Sequence, residues 1–454
     1  MNFFSGSAIN NDSLSGFCHY PDASPAAWDI EGCGDREEYE QMSVGIRHDD
    51  LRRRNRAMVL SAVRRAGQPS RTEIAATTGL SHSTISAISS DLIQEGILVE
   101  SKASEPPSLK RGRPQIGLAL NPEAAAVLTV VLSLNFLSVA VVDYAGQVIA
   151  EEQERLDTLT MPRDELIGEC VAIVRRRLED PDLDTGSVAR IAMGIQGITD
   201  SHARAMLWSP ITPLTDIPFA DILEREFGIP ATMENDCNMM AVALQWRDPD
   251  RYRDNFIAIL LSHGIGMGLV LKGELFTGTH SSGGEFGHMI HRPGGALCRC
   301  GRRGCVEAYA GNYAIWRNAR KMSEDAEPAD VGDAEMRALS AKARQRDGPE
   351  REAYRRAGEA LGFGLGSLFA LIDPAPVAMV GVSAAAFDLI EPAMREAIAQ
   401  TAGGQHSKSI SFDTEPNELP LIREGCAMRA LGFVDQEIFA PGAQARSSPG
   451  KNVA

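Results

Sequence analysis

Cysteine is scarce in this sequence, with 8 residues in 454. Outside one short cluster the cysteines are spread thinly, and Met1–Tyr20 lacks the basic start and continuous apolar run of a signal peptide. A fold held together by disulfides is therefore not expected, and the pattern favours a cytoplasmic protein.

Long uncharged stretches are also rare. Ala124–Val142 has the length of a membrane span. It is rich in valine and is interrupted by the polar Ser133 and Asn135, which is typical of two buried strands joined by a turn. With 44% apolar residues, the chain can fill the cores of two or three domains.

Positive charge is in deficit overall but is unevenly distributed. The net charge is −16, yet residues 48–114 hold 11 Lys/Arg against 7 Asp/Glu, a balance of +4. Residues 1–47 sum to −6 and the remainder to −14. A basic module on an acidic body suggests that only this module binds a polyanion.

The basic module has the pattern of a helix-turn-helix. Ser70 and Glu73 form a capping box at the start of its second helix, which ends at Gly79, and Ser81 caps a third helix. An ordinary helical hairpin fits the same pattern. The residues predicted to face the major groove and nearby phosphates are Ser81, His82, Ser83, Thr84 and Ser86.

The residues that follow favour DNA binding. Ile97–Glu100 predicts a wing strand, and Arg111 and Arg113 come after a polar loop with only a glycine between them. Such a slim segment can enter a narrow, A·T-rich minor groove, although a solvated basic linker is the alternative. We predict a winged helix-turn-helix DNA-binding domain at residues 46–115.

Glycine-rich turns and alternating strands and helices follow, and they predict an α/β body at residues 118–440. The segments 1–45 and 443–454 lack periodicity, and we expect them to be disordered tails.

One histidine and three cysteines lie within eighteen residues of this body: His288, Cys298, Cys300 and Cys305. Imidazole nitrogen and thiolate sulfur are preferred zinc ligands, and four protein ligands form a closed, structural site. Incidental buried cysteines are the alternative. The crowding predicts a structural Zn²⁺ ion.

The winged module, Glu234–Asn238, Gly284–His288 and the cluster ending at Glu307 together resemble the ROK family, named for repressors, open reading frames and kinases. The resemblance covers residues 48–435. It implies an actin-like, ribonuclease H-like fold of two lobes, as in sugar kinases, with a sugar between them. Family repressors carry the DNA module, whereas family kinases lack it.

The resemblance also implies which side chains bind sugar. Carboxylates accept hydrogen bonds from hydroxyl groups, and a metal-bound imidazole has a defined orientation. The residues that match the family motifs are Asn235, Asp236, Glu285, His288 and Glu307.

Catalysis is not implied by this match. In the kinases Asp236 would be the base, but the same oxygens can simply hold a hydroxyl. The resemblance places Val131 where the kinases have the Asp of Asp-x-Gly-Gly-Thr, and Ser262–Gly264 where they have Gly-Thr-Gly. A branched apolar residue cannot place Mg²⁺, so we predict a non-catalytic sensor. Ile211 replaces a common Asn, which leaves the identity of the sugar open.

The sequence therefore predicts a sugar-responsive DNA-binding transcriptional regulator of carbohydrate uptake or catabolism genes, and it favours a repressor. The expected partners are operator DNA, a sugar or sugar-phosphate effector, and further copies in a homodimer or homotetramer. An ATP-dependent sugar kinase is one alternative. A zinc-stabilised protein that acts through other proteins is the second.

Overall fold

The computed structural model describes residues 48–102, 116–181, 183 and 188–439. The predicted tails, and Arg111 and Arg113, lie outside these residues.

The N-terminal part of the described chain is a winged helix-turn-helix. The Ser70 hydroxyl accepts the N–H of Glu73, and the Glu73 carboxylate accepts the N–H of Ser70 at 2.7 Å, so the predicted capping box is confirmed. Gly79, with φ +72°, ends the second helix. The elements are α1 His48–Ala66, α2 Arg71–Thr78, α3 His82–Gln94, β1 Leu98–Lys102 and β2 Ile116–Leu120.

These elements enclose a small apolar core. Val63, Ile85 and Leu92 are completely buried within it. The strands β1 and β2 pair antiparallel, with Leu98 opposite Leu120. The predicted boundary at residue 115 therefore falls inside the wing hairpin, which continues to residue 120.

The N-terminal lobe follows. Its central sheet has the order β5-β4-β3-β6-β9, in which β4 runs antiparallel to its neighbours and β3, β6 and β9 are parallel. The elements are β3 Ala126–Ser133, β4 Phe136–Asp143, β5 Val148–Arg155, α4 Arg163–Leu178, β6 Val188–Ile195, β7 Ile198–Thr199, β8 Met206–Trp208, α5 Phe219–Phe227, β9 Ala231–Asn235 and α6 Asp236–Arg247.

The C-terminal lobe repeats this arrangement. Its sheet has the order β12-β11-β10-β13-β14, in which β11 runs antiparallel to both of its neighbours and β10, β13 and β14 are parallel. The elements are β10 Phe256–Leu261, β11 Ile265–Leu271, β12 Glu274–Leu275, α7 Glu307–Ala310, α8 Asn312–Ala319, α9 Asp333–Gln345, α10 Pro349–Ile372, β13 Val377–Val380, α11 Phe387–Ala399, β14 Phe412–Glu415 and α12 Glu418–Phe433.

The final helix, α12, returns to the N-terminal lobe and packs against α6, β3 and β6. Leu421, Ile422 and Cys426 on α12 share a buried core with Met239 of α6 and Val127 of β3. The helix therefore connects the two lobes, and it ends in a π-helical turn at Val434–Ile438.

Several element predictions are confirmed. Ala124–Val142 forms β3 and β4 with a turn between them, and none of the described helices has the length and apolar character needed to cross a membrane. The helix α11 begins at Phe387, after a 3₁₀ turn at Val382–Ala386.

Candidate functional site

The predicted zinc ligands lie together. The ligand atoms of His288, Cys298, Cys300 and Cys305 are all within 4.8 Å of one another. Sγ of Cys298 is 3.8 Å from Nδ1 of His288, and Sγ of Cys300 is 3.9 Å from Sγ of Cys305. Four ligands around one zinc ion are expected to be about 3–4 Å apart. The cluster therefore fits a single metal ion with a closed coordination shell.

Glycine makes this loop possible. Gly304 has φ +84°, and a Cβ atom there would lie 1.8 Å from the carbonyl oxygen of Arg292. The Gly304 carbonyl accepts the N–H groups of His291 and Arg292, at 2.8 and 3.0 Å. Only glycine fits this close approach, which brings Cys305 back to the other ligands.

His288 connects the cluster of cysteines to the cleft between the lobes. Its Nδ1 faces Cys298, while its Nε2 lies 3.8 Å from Oε2 of Glu285. Burial raises the pKa of Glu285 above its usual value. A metal bound at Nδ1 would fix the imidazole ring with Nε2 directed at the cleft.

Glu307 is a second connection between cluster and cleft. It is 3% exposed, and its Oε2 accepts the N–H of Ile265 at 3.1 Å. Its Oε1 accepts hydrogen bonds from the Tyr313 hydroxyl at 3.3 Å and the Cys298 thiol at 3.4 Å. The Glu307 carboxylate thus holds the start of β11 beside Cys298.

Asn235 and Asp236 lie where β9 passes into α6. Oδ1 of Asn235 caps the helix by accepting the N–H of Asn238 at 3.1 Å, and its Nδ2 donates to the Gly197 carbonyl at 2.8 Å. Asp236 is 2% exposed. Burial raises the pKa of its carboxyl group to about 7, although hydrogen bonds from Cys237 oppose the shift.

One cavity of about 40 Å³ collects all five predicted sugar-binding residues. A cavity of this size holds only a few water molecules, so a sugar ring would have to widen the cleft. The five residues on its wall are Asn235, Asp236, Glu285, His288 and Glu307.

The cavity also has wall residues that sequence reasoning missed. Gln196 follows β6, and Trp208 ends β8 with its ring centroid 6.0 Å from that of His288. Neither belongs to a recognisable motif. Ile211, in contrast, is completely buried in the core of the N-terminal lobe and is not part of the cavity wall. Two larger hollows, of about 940 and 950 Å³, share no residue with this cavity; α1 and α2 line most of the first, and residues of the body line most of the second.

The predicted DNA-contacting residues lie at the start of α3. Ser81, His82, Ser83 and Ser86 are exposed, and Thr84 is half-buried. The Ser81 hydroxyl accepts the N–H of Thr84 at 3.1 Å, so it caps the helix.

Two lobes with the same strand order and a polar cleft between them define the two-lobed, actin-like class of folds to which sugar kinases belong. The ROK family model matches residues 135–417. The chain belongs to the ROK family.

Among curated proteins, the xylose repressor of Caldicellulosiruptor bescii is 23% identical over 61% of this chain and 68% of its own length. NagC of Escherichia coli K12, a DNA-binding transcriptional dual regulator, is 23% identical over 77% of this chain and 86% of its own. A solved ROK family transcriptional regulator, homolog of the E. coli MLC protein, has a TM-score of 0.69 at 22% identity and covers 85% of this chain and 97% of its own.

Asp236 should make the protein less stable at neutral and alkaline pH than at pH 4. Because its folded-state pKa is raised, stability is lost as pH rises from about 4 through 7. We expect Asp236→Asn to raise the free energy of unfolding by about 1–3 kcal/mol at pH 8 and to change it little at pH 4. Urea denaturation at both pH values measures this.

Asp200→Asn is the matched control with the opposite sign. Hydrogen bonds from the backbone N–H groups of Ala205 and Arg204 lower the pKa of Asp200 against the effect of burial. Its substitution should therefore destabilise the protein at pH 8. A loss of stability at pH 8 in both variants would contradict the prediction that the buried, ionised Asp236 destabilises the folded protein.

Proposed function

We propose that the chain is a sugar-responsive DNA-binding transcriptional regulator, and that it represses genes of carbohydrate uptake or catabolism. A winged helix-turn-helix joined to a ROK body supports this, as do relatives named as repressors. The observation that carries the proposal is a buried junction between the two parts.

At this junction Arg64 of α1 forms a hydrogen-bonded network with Tyr144 and Asp435 of the body. Nη2 of Arg64 lies 2.8 Å from Oδ1 of Asp435, and its Nη1 donates to the Tyr144 carbonyl oxygen. The Tyr144 hydroxyl donates to the same Asp435 oxygen at 2.5 Å. The side chains of Arg64 and Asp435 are only 4% and 6% exposed. A buried, paired charge accepts few alternative geometries, so it fixes α1 on the body.

The helix α12 links this junction to the cleft. Its first residue, Glu418, accepts a hydrogen bond from the Ser262 hydroxyl at 2.9 Å. Asp435 lies two residues beyond its last residue, Phe433. A helix of 16 residues is about 24 Å long. Widening of the cleft by a sugar would move the start of α12 and, through Asp435, the winged domain.

DNA contact in this proposal follows the predicted residues. The start of α3 would enter the major groove, and Arg111 and Arg113 the minor groove. A homodimer or homotetramer would place two winged domains on a palindromic operator. Coupling of about 1–3 kcal/mol between sugar and DNA would change operator affinity by about 5–150-fold.

The metal in this proposal is structural Zn²⁺, held by His288, Cys298, Cys300 and Cys305. When bound it would crosslink the loop, with no open position for water. Burial raises the pKa of the Cys305 thiol to about 11 without a metal, so binding would release protons and strengthen with pH.

A non-catalytic cleft is part of the proposal. Val131 is 1% exposed within β3, and Asn135 occupies the following turn with φ +56°. The kinase alternative is favoured by Asp236. A coupled assay with ATP, Mg²⁺ and a sugar panel distinguishes the two. Turnover typical of a sugar kinase, on the order of 1–100 s⁻¹, would show that the chain is a kinase and contradict the non-catalytic cleft.

The DNA-binding role predicts the effect of a negative charge at α3. We expect Ser83→Asp to weaken binding to a duplex from the protein's own promoter by at least about 30-fold, because the carboxylate faces the phosphates. Fluorescence anisotropy measured against salt concentration tests this.

Ser367→Asp on α10 adds the same charge at an exposed position of the C-terminal lobe and should leave DNA affinity unchanged. Equal effects of both substitutions, or negligible affinity of the unsubstituted protein, would favour the alternative in which the winged domain binds other proteins.

A further inference from the structure

The second of the two larger hollows lies between the winged domain and the body. This hollow, the junction pocket, has a volume of about 950 Å³, which is within the range of small-molecule sites. Arg65 of α1 and Thr77 of α2 line it from the winged domain, and residues of β6, β9, α6 and α12 line it from the body. A ligand in this pocket would therefore contact both parts of the protein.

Arg190 of β6 is a half-buried cation in the wall of the junction pocket. Its guanidinium carbon lies 3.6 Å from the centroid of the Phe433 ring. Within the described part of the chain, no residue forms a hydrogen bond or an ion pair with the Arg190 guanidinium. Burial lowers the pKa of Arg190, and the charges of Arg204 and Arg429 act in the same direction, against Glu224. An anion that enters the pocket would meet a poorly solvated and unpaired positive charge.

Two further guanidinium groups line the same pocket. The guanidinium carbon of Arg65 lies 5.0 Å from the centroid of the Trp246 ring, and this contact holds the side chain of α1 against α6. Arg253 is exposed at the wall. Neither Arg65 nor Arg253 forms an ion pair with another residue that the structure describes. A planar guanidinium group matches the oxygen atoms of phosphate and carboxylate groups.

The carboxylates of the pocket do not cancel these charges. Nη2 of Arg429 lies 3.1 Å from Oε1 of Glu234, so these two wall residues pair with each other. Asp250 and Glu274 are exposed, and solvent and salt screen their charges. The charge of the half-buried Arg190 therefore stays without a partner inside the pocket.

We propose that the junction pocket binds a small metabolite with two or more anionic groups, either phosphate or carboxylate. Arg190 and Arg253 of the body and Arg65 of the winged domain hold it. Such a ligand is a second effector, bound at a site that shares no residue with the sugar cavity, and it connects the winged domain to the body.

Isothermal titration of the full-length protein at about 50 mM NaCl tests the site. The probes are 2,3-bisphosphoglycerate and the tricarboxylate tricarballylate, because neither contains a sugar ring or chelates zinc strongly. We expect at least one of them to bind once per chain with a Kd below about 1 mM. Inorganic phosphate, with a single anionic group, should bind at least tenfold more weakly. The tighter of the two probes identifies phosphate or carboxylate as the group that is recognised.

Substitution of the arginines tests which residues hold the anion. Arg190→Gln should weaken binding at least tenfold, and it removes no ion pair of the folded protein. Arg190→Lys keeps the charge without the planar fork and should recover part of the loss. Arg65→Gln should weaken binding at least threefold. Arg337→Gln is the control, because it removes an exposed arginine of α9 outside the pocket and should leave the affinity unchanged.

Trp246 reports whether the anion binds in the junction pocket, since its ring lies in the wall. Binding should change the tryptophan fluorescence, and the change should be lost in Trp246→Phe. A fluorescence change that persists in this variant would place the anion elsewhere and contradict the proposal.

The outcomes separate this site from the proposed function. The absence of saturable binding by every probe, or equal weakening in Arg190→Gln and Arg337→Gln, overturns the site and leaves the sugar-responsive regulator standing. If no probe binds but Arg190→Gln weakens affinity for the promoter duplex, the pocket contacts DNA and the proposal is wrong. A protein that binds the anions and no sugar overturns the proposed function and keeps the site.

Discussion

Cys300→Ser is expected to lose its metal and its response to sugar while the winged helix-turn-helix stays folded. Binding of structural zinc contributes about 10–16 kcal/mol in small metal-dependent domains, and a hydroxyl is a poor replacement for a thiolate ligand. Without the ion, His288 would no longer be held at the cavity. The winged domain should persist because its core residues Val63, Ile85 and Leu92 pack in a different apolar cluster from that of Cys298 and Cys305.

Zinc content per chain, circular dichroism and the effect of sugar on DNA affinity measure this outcome. Cys170→Ala is the control, because Cys170 is completely buried in α4 and belongs to the core of the N-terminal lobe rather than to the cluster. The control should keep one zinc ion per chain. An unchanged zinc content in Cys300→Ser would refute the assignment of the cluster as a zinc site.

Asp435→Ala is expected to disconnect sugar binding from DNA binding. It leaves the Arg64 guanidinium buried without its charged partner, and removal of one member of a buried pair costs about 3–5 kcal/mol. The cost falls on the junction, so the position of the winged domain should no longer follow that of α12, while each part still binds its own ligand. Sugar would then change operator affinity less than twofold.

Anisotropy with and without sugar, combined with calorimetric sugar binding, tests this separation. Arg52→Ala is the matched control on the same helix, since it removes an exposed ion pair with Asp91, with side chains 58% and 39% exposed. Exposed pairs contribute about 0–1 kcal/mol, so coupling should survive. If Asp435→Ala retains full coupling, α12 is not the connection between cleft and DNA.

Features contained in short stretches of chain could be predicted from the sequence. The capping box of Ser70 and Glu73 spans four residues, and the hairpin of Ala124–Val142 depends on one turn. The cluster from His288 to Cys305 closes within a single loop. In each case the partners are near neighbours along the chain, so spacing and residue type are sufficient.

Other parts of the site had no pattern to reveal them. Trp208 carries no motif, and its place beside His288 arises because the N-terminal lobe folds against the metal loop. Asp330 is a loop residue outside any motif, and its hydrogen bond from Asn135, 195 residues away, is visible only in the structure. The pair of Arg64 and Asp435 is separated by 371 residues.

The sequence by itself determined the helix-turn-helix, the α/β character of the body and the cluster of one histidine and three cysteines, because caps, periodicity and ligand spacing act over one or two elements. Only the tertiary structure decided that α12 runs from Ser262 at the β10–β11 turn to the pair of Arg64 and Asp435. Contacts between distant segments depend on how the two lobes and α12 pack together, and local sequence patterns do not show which distant residues will meet.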